Sequence, residues 1–532
     1  MKRLNGKICE TTGYEVGSPP GCGVENRGSI PCFDPIEMKK GIRYFKLLSA
    51  SPTGLRSPLV TVEIVIAPGI PRHHVVGLAY GAVKESLVRI RAAIQRAGFD
   101  FPRGAVTVNL APADTRNDGS AFDLPIALGI LAADKKIDAS ALAEKPVLVM
   151  GELSLDGSVR PVAGVMPALL RSVEQHVVRA LIPKANEPEA VPFASIDVAS
   201  VSSLQEAVDQ VGGNASFKAV KKEPACDRGA PEPCYPDFAM VVGQRDAVRS
   251  LALAATGRHN VLMTGPPGCG KTLMARCLGG ILPPWTKELA LEATCLHSLR
   301  SPGLHLLAHR PFRSPHHSVS PAGLLGGGNP LRPGEVSLAH GGVLFIDELP
   351  EFSSRALEGL REPMQDRVVT LSRARHVESF PADFQLVAAM NPCPCGLGSL
   401  TRNECRCSER RRRSYLSRIS NPLLDRIDMH VMVPAVDPVY CLRSSSTDSA
   451  ALATSVLRAA NRLANEKPRI HEDAERALTR ASSSLGLSMR AMSSVRRIAQ
   501  TICAYDQEDV VVKRHVSEAI RLGGQGRRAV VD

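Results

Sequence analysis

The sequence predicts an α/β protein: a nucleotide-binding domain built on a parallel sheet and closed by a helical carboxyl-terminal lid, preceded by an α+β domain. Three observations predict it. Gly265 to Thr272 read G-P-P-G-C-G-K-T, a glycine-rich loop of the kind whose backbone N–H groups cradle phosphates. Val343 to Glu348 read V-L-F-I-D-E, four apolar residues of a buried strand ending in two carboxylates. Ahead of both, between Val60 and Met150, runs with the period of strands are interleaved with runs of helical period.

Composition narrows the class. At 532 residues the chain has room for two or three domains. Hydrophobic residues make up 44% but aromatic ones only 4%, which favours helix-rich packing of aliphatic side chains. No apolar run nears the ~20 residues needed to span a bilayer; the longest, Leu124 to Ala133, is ended by Asp134. Lys2 and Arg3 have no apolar core behind them, so the amino terminus does not read as a secretory signal. The expectation is a soluble, cytoplasmic protein. Fourteen scattered cysteines in a chain this long suit a reducing compartment rather than a disulfide framework. A formal charge of +12 fits attraction to a polyanion and fits equally a solvated basic surface.

Taken in order, residues 1–44 are rich in Gly and Pro, hold Cys9, Cys22 and Cys32, and show no sustained period; they read as a disordered extension or as the product of a wrongly chosen start codon. Residues 45–211 form the α+β domain. Val60 to Ile66 alternates like a half-buried strand, and Ala82 to Ala97 carries Val83, Leu87, Ile90, Ala93 and Ile94 at helical spacing. Val106 to Leu110 is a second strand, Leu124 to Ala133 a buried helix, and Val147 to Met150 a third strand. Residues 212–236, with Gly, Pro, Lys and Asp, read as a linker. The nucleotide-binding core then spans 237–434, the helical lid 435–522 and a tail 523–532. The lid's periodic part begins near His471: Ser488 can cap a helix in which Ala491, Val495, Ile498, Ala499 and Ile502 form one apolar face.

In the core, Asn260 to Thr264 is a short buried strand leading into Gly265, Pro266, Pro267, Gly268, Cys269, Gly270, Lys271 and Thr272, and a helix follows. Gly265 and Gly270 let backbone N–H groups turn around the polyphosphate of ATP, Lys271 reaches its β- and γ-phosphates, and the Thr272 hydroxyl holds Mg²⁺. Asp347 would hold the same Mg²⁺ through water, and Glu348 would position and polarise the attacking water. Asn391 ends the next strand, Leu386 to Met390, where open α/β sheets present ligand-contacting side chains; it serves equally as an Asx turn before Pro392.

Cys393, Cys395, Cys405 and Cys407 place four thiols within fifteen residues. They suit a structural Zn²⁺, with Arg402, Arg406 and Arg410 to Arg413 favouring the thiolates, or remain free thiols. His316 and His317 are adjacent; side chains of neighbours in an extended chain point opposite ways, so a structural or strand-contacting role is expected rather than a metal pair. Arg367 to Phe380 reads as two strands joined by a basic tip, Arg373 to Arg375. The tip fits a phosphate backbone, or is a solvated turn.

The stretches "VVGLAYGAVKES", "VTVNLAPADTRNDGSAFDLPIALGILAA" and "GELSLDGSVRPVAGVMPALL" resemble the amino-terminal Lon-protease-like (ribosomal S5 domain 2-like) domain of the ComM/YifB family of magnesium-chelatase-like AAA+ ATPases. The resemblance covers about Tyr44 to Leu522. It places Ser120 near a Lon-type nucleophile, but Val165 and Met166 stand where the activating Lys should follow; neither accepts a proton, so the dyad is absent and Ser120 structural. Lys184 is a remote alternative base. The resemblance further implies that Val242 to Gln244 lie against adenine and that Asn391 is the sensor-one residue. In "SRISNPLLDRIDMHVMVP" it makes Arg426 the arginine finger, oriented by Asp425, with Arg418 a second candidate; pairing of Arg426 to Asp425 or Asp428 is the plainer alternative. Arg490, in "LSMRA", matches sensor two, reaching back toward the nucleotide. Arg310 to Gly342 resembles the clade's helix-two insert and reads as a loop that moves with nucleotide state. The stretch from Cys441 to Arg469, with its Ser-rich run, is shorter than the family's. The family implies a homo-hexameric ATP-driven motor on single-stranded or branched DNA, with Arg373 and Arg375 lining the pore. Its best-characterised form is a branch-migration helicase in homologous recombination during natural transformation. The rival readings are a magnesium-chelatase-like metal-insertion subunit and an ATP-dependent protein remodeller.

Overall fold

Strict alternation of aliphatic and polar residues builds the first sheet: Val60, Val62, Ile64 and Ile66 are fully buried, and the residues between them are not. The computed structural model describes residues 41–525 apart from 53, 56, 77–80, 113–118, 141, 143–144, 213–216, 220–234, 374–375, 397–404 and 436–447. The extension predicted over 1–44 therefore lies outside the described residues up to 40. Arg43 already begins β1.

The strands of this part are β1 (Arg43–Ala50), β2 (Leu59–Ala67), β3 (His73–Val76), β4 (Ala105–Ala111), β5 (Val147–Val149), the short ribbon β6 (Glu152–Leu153) with β7 (Val159–Arg160), β8 (Arg179–Pro183), β9 (Asp197–Val201) and β10 (Lys218–Ala219). Eight of them form one mixed sheet in the order β10-β9-β8-β5-β1-β2-β4-β3. The helix Asp123–Ala133 is buried nearly all round, as its unbroken apolar sequence requires. It comes so near β2 that a Cβ on Gly129 would meet Ile64 Cγ1 at 2.7 Å. The strands and helices expected around 60–66, 82–97, 106–110, 124–133 and 147–150 are all present. β3, β8 and β9 are not legible in the sequence, and β10, inside the stretch that reads as a linker, pairs with β9 and extends the sheet.

The second sheet comprises β11 (Val261–Thr264), β12 (Phe312–Arg313), β15 (Val343–Ile346), β18 (Gln385–Met390) and β19 (Met429–Met432), in the order β12-β15-β18-β11-β19. All its pairings are parallel, so every carboxyl end lies along one edge. Two short ribbons accompany it: β13 (Gly326–Gly327) with β14 (Arg332–Pro333), and β16 (Val368–Arg373) with β17 (His376–Pro381). Its three central strands, β15, β18 and β11, are buried on both faces, the signature of a sheet covered by helices on each side. Val261, Met263, Phe345, Val387 and Ala389 pack on one face with the helices Arg245–Gly257 and Lys271–Leu278; Leu262, Leu344, Ile346, Leu386 and Ala388 pack on the other.

The lid holds the helices Ser449–Asn465, Glu472–Leu485, Met489–Tyr505 and Lys513–Ile520. Ser488 caps the third, its hydroxyl accepting from Ala491 N at 3.2 Å, and the expected apolar face of that helix is buried. The helices start before His471 but within the expected lid of 435–522: Leu452, Val456 and Ala459 bury one stripe of a 17-residue helix. The Ser-rich run lies mostly outside the described residues.

The insert 310–342 is also a correction. It is folded, with the short helices Pro321–Leu325 and Glu335–Leu338 around the β13–β14 ribbon, and Leu324 and Val336 are buried in the same core as β15 and β18. Its His316 and His317 do not diverge: the chain turns at His317 and Ser318, and the two rings lie with centroids 4.0 Å apart, tilted by 35°.

The described residues belong to one compact unit. The fully buried Glu189 accepts from Met166 N at 2.9 Å and Asn186 Nδ2 at 2.6 Å in the first domain, and from Gly303 N of the second at 2.6 Å. Burial raises its carboxyl pKa, and these three donors oppose the rise. No helix among the described residues is long and apolar enough to cross a membrane.

Candidate active site

The phosphate loop leaves the carboxyl end of β11 and enters the helix Lys271–Leu278. Gly268 and Gly270 sit at φ 76° and 91°, a region that side-chain-bearing residues rarely adopt, and this turns successive N–H groups inward. Lys271 is 8% exposed. Its amine donates to Gly265 O and Pro266 O, both at 2.8 Å, and to Asn391 Oδ1 at 3.2 Å, so it already lies between the loop and the end of β18. Thr272 Oγ1 donates to Asp347 Oδ2 at 2.8 Å, bringing together a hydroxyl and a carboxylate, the hard oxygen donors that Mg²⁺ prefers. Glu348 follows with its own N–H on Asp347 Oδ1 at 3.0 Å. Lys271 with Asn391 and Thr272 with Asp347 thus form two hydrogen-bonded pairs set side by side by adjacent residues of the helix start, with Glu348 next to Asp347.

Tyr415 backs these pairs. Its phenol oxygen accepts from the Asn391 backbone N–H, and burial, reinforced by Glu351 and Glu348, pushes it up to about 12. Arg418 donates to Pro350 O and Glu351 Oε2, both at 3.2 Å, just past the carboxylate pair. Gln244 is buried with its amide donating to Pro434 O at 2.7 Å, which fixes the segment Val242–Gln244 beside the core.

Arg426 and Arg490 are elsewhere. Both donate to one acceptor, Gln365 Oε1, each at 2.9 Å; Arg426 also donates to Pro422 O at 2.8 Å, and its Nε is buried without a partner. Burial, then the charges of Arg490 and Arg361, lower the Arg426 pKa, and Asp425 contributes opposing charge. The two guanidinium groups line a cavity of about 540 Å³ with Asn260, Asp383, Asp428 and Lys467. Asn260 and Asp428 immediately precede β11 and β19, so this cavity is at the amino-terminal edge of the sheet. The phosphate loop is at the other edge, a four-residue strand or roughly 13 Å away.

The expectation that Arg490 reaches back to the nucleotide of its own chain is therefore corrected. The cause is the docking of its helix: Ser494 and Arg497 bind Asp428 Oδ1 at 2.6 and 2.7 Å, which holds the first turns at the amino-terminal edge. Asp428 is thus taken by Arg497 rather than by Arg426.

The four thiols converge. Sγ of Cys393 lies 3.2 Å from that of Cys395 and 3.7 Å from that of Cys405, Cys395 and Cys405 are 3.6 Å apart, and with Cys407 all four sulfurs fall within 4.8 Å. A tetrahedron with metal–sulfur bonds of ~2.3 Å has edges of ~3.8 Å, so the set fits Zn²⁺. Arg412 donates to Cys405 Sγ at 3.5 Å. The same turn rests on the phosphate loop: a Cβ on Gly396 would meet Pro267 Cδ at 2.8 Å.

Comparison with known proteins agrees with this arrangement. The family described as magnesium chelatase, subunit ChlI, matches residues 237–440; subunit ChlI of Mg-chelatase matches 62–186, and magnesium chelatase, subunit ChlI C-terminal, matches 447–522. The competence protein ComM of Haemophilus influenzae is 38% identical over 506 residues, 91% of this chain and 97% of that protein. The YifB protein of Escherichia coli is 36% identical over 486 residues, 88% and 94% of the two chains. The chain belongs to the ComM/YifB family of magnesium-chelatase-like proteins.

Lon protease 2 of Bacillus subtilis is also similar, 28% identical over 207 residues, 34% of this chain and 37% of that one. In this ComM/YifB chain, however, the Ser120 hydroxyl donates to Glu152, Val165 and Met166 are fully buried, and the Lys184 amine is paired with Glu187 and 3.4 Å from Ser200 Oγ. Among the described residues, the side chain bonded to the Ser120 hydroxyl is the Glu152 carboxylate.

The family points to an ATPase that uses ATP and Mg²⁺, and the donor set fits both. Of the two arginines expected to meet DNA, Arg375 lies outside the described residues and Arg373 ends β16. Sequence reading misses Tyr415, Gln365 and the place of His317, whose Nδ1 is 3.7 Å from Glu348 Oε2. None belongs to a motif; each is found only once strands and helices are docked.

Proposed function

We propose that the chain is a Mg²⁺-dependent ATPase working as a homo-hexamer that moves DNA, a branch-migration helicase of homologous recombination during natural transformation. One observation carries the reading. Arg426 and Arg490 meet on a single neutral amide at the sheet edge opposite their own phosphate loop, an arrangement of like charges that is stabilised when an anion arrives. The γ-phosphate of a neighbouring protomer is the anion that a ring supplies there. In that seam Lys271 and the loop N–H groups bind the polyphosphate, Asn391 and Glu348 orient the attacking water, and Glu348 accepts its proton. Arg426 and Arg490 meet the charge that develops on the transferred group. Mg²⁺ held at Thr272 and Asp347 would neutralise charge across the bridging oxygens.

The DNA reading draws on the net charge of +12, the β16–β17 hairpin in which Arg373 ends β16, the Arg375 that the sequence places two residues on, and the similarity to a competence protein. It is tested by ATP turnover against single-stranded, duplex and four-way DNA, with salt titration of binding. Arg373→Ala with Arg375→Ala should flatten the log–log salt slope by roughly 0.7–0.9 for each phosphate no longer neutralised; an unchanged slope moves the nucleic acid elsewhere. Turnover indifferent to every DNA but raised by a porphyrin-complex subunit or by unfolded protein would replace the motor by the metal-insertion or the remodelling reading.

The four thiols are assigned to structural Zn²⁺. Metal analysis of the purified protein should find about one zinc per chain, and Cys405→Ser should lose it and lower Tm by several degrees. Less than one zinc per several chains would leave them as thiols.

A further inference from the structure

The longest run of like charge in the chain, Arg410 to Arg413, lies in the helix Glu409–Leu416, which follows the four thiols directly. Two turns of helix with four arginines do not hold themselves together. Arg410 and Arg413 are neighbours on the helix surface, where like charges oppose helix formation, and among the described residues the compensating ion pair of this helix is Arg413 with Glu409. Support comes instead from what the helix rests on. Ser408 Oγ accepts from Arg411 N at 3.3 Å, Tyr415 is buried at the other end, and Arg412 turns inward onto Cys405 Sγ.

The side left outside is a firmly mounted surface of one sign. Arg406, between Cys405 and Cys407, is exposed, and so are Arg410, Arg411 and Arg413. Among the described residues Arg406, Arg410 and Arg411 pair with no carboxylate. From Cys405 to Arg418 no large hydrophobic side chain is exposed. A protein interface is built on an apolar centre, and a lipid surface takes an apolar wedge; this patch offers neither. It offers planar guanidinium groups, whose forked N–H donors match phosphate oxygens.

The mount is separate from the hairpin. β17 leads into the amino end of β18, whereas the turn that carries the thiols leaves the carboxyl end, a six-residue strand or roughly 20 Å away. The two sets of arginines can therefore be removed independently.

We propose that Arg406, Arg410 and Arg411 form a second nucleic-acid site, which holds the phosphate backbone of a DNA strand against the thiol turn at the phosphate-loop edge of the sheet. The proposal rests on the reading of the chain as a DNA motor. Guanidinium groups on a phosphate backbone carry no base readout, so the site is blind to sequence. Each phosphate it neutralises releases counterions, and its contribution is read in the salt dependence of binding.

The test compares full-length wild type with the triple variant Arg406→Gln, Arg410→Gln and Arg411→Gln, and with Arg406→Lys, Arg410→Lys and Arg411→Lys. Glutamine keeps helix propensity without charge, and lysine keeps the charge. Binding of a labelled oligothymidylate is titrated with salt, binding of a fluorescent ATP analogue is measured separately, and zinc content and Tm are recorded for each variant. The glutamine variant should lose about 2 from the log–log salt slope, roughly 0.7 for each of three contacts to a single strand, with analogue affinity within about twofold. Zinc content and Tm should match wild type, and the lysine variant should keep most of the slope. A kept slope with weakened analogue binding overturns the proposal by assigning the arginines to the triphosphate. A slope lost together with zinc overturns it by making them props of the turn. Should the triple glutamine variant fail to fold, Arg411→Gln alone is judged by a loss of about 0.7. Wild type without salt-dependent binding of the oligonucleotide removes the DNA reading and the proposal with it; wild type that binds, beside a glutamine variant of unchanged slope, removes the proposal alone.

Discussion

Glu348→Gln should abolish turnover while leaving nucleotide binding intact, with kcat lower by about 10²–10⁴ and affinity for ATP within about twofold. The substitution conserves volume and the backbone at φ 53° but leaves an amide that accepts no proton. Binding does not depend on it, because Lys271, the loop N–H groups and the Thr272–Asp347 pair at 2.8 Å are untouched. Steady-state hydrolysis and a nucleotide titration check the two halves, and a variant hydrolysing at the wild-type rate would strip Glu348 of its role.

Arg426→Ala and Lys271→Ala, each inactive alone, should recover activity when mixed. The first loses the guanidinium that meets transition-state charge, a loss of about 10³–10⁵ in rate or roughly 4–7 kcal/mol; the second loses the phosphate-binding amine. If catalysis is shared across a seam, a mixed ring pairs the intact loop of one variant with the intact Arg426 of the other. Random assembly restores about a quarter of the seams. Mixing preformed inactive pools under exchange conditions and measuring hydrolysis decides it. No recovery would place Arg426 in its own chain's site, against its position at the amino-terminal edge beside Gln365.

What can be read in advance, and what cannot, divides by range. The loop, the carboxylate pair and Asn391 are legible because each is a short chemical pattern at the end of a fully buried strand, and parallel pairing then places all three at one edge. The cap at Ser488 is legible for the same reason. Which edge the capped helix docks against is not, since that is set by Asp428 reaching Ser494 and Arg497 across more than sixty residues. The helix Ser449–Asn465 escapes because few side chains, Leu452, Val456 and Ala459 among them, are buried in it. The histidine pair differs from expectation because divergence requires an extended chain and the backbone turns there instead. Gln365 carries no signal at all: a neutral side chain on a short helix becomes informative only when an arginine from a turn and one from a distant helix arrive at it.

Glu189 has a consequence for how this molecule can be taken apart. Its carboxylate spans the junction to Gly303, and Leu55 lies against Leu296, Leu299 and Phe380 across the same junction. A fragment begun at residue 237 would keep every group needed for hydrolysis yet expose a bare amide and an oily scar where its shield had been. The leading domain is in this sense a cover over that part of the nucleotide-binding core.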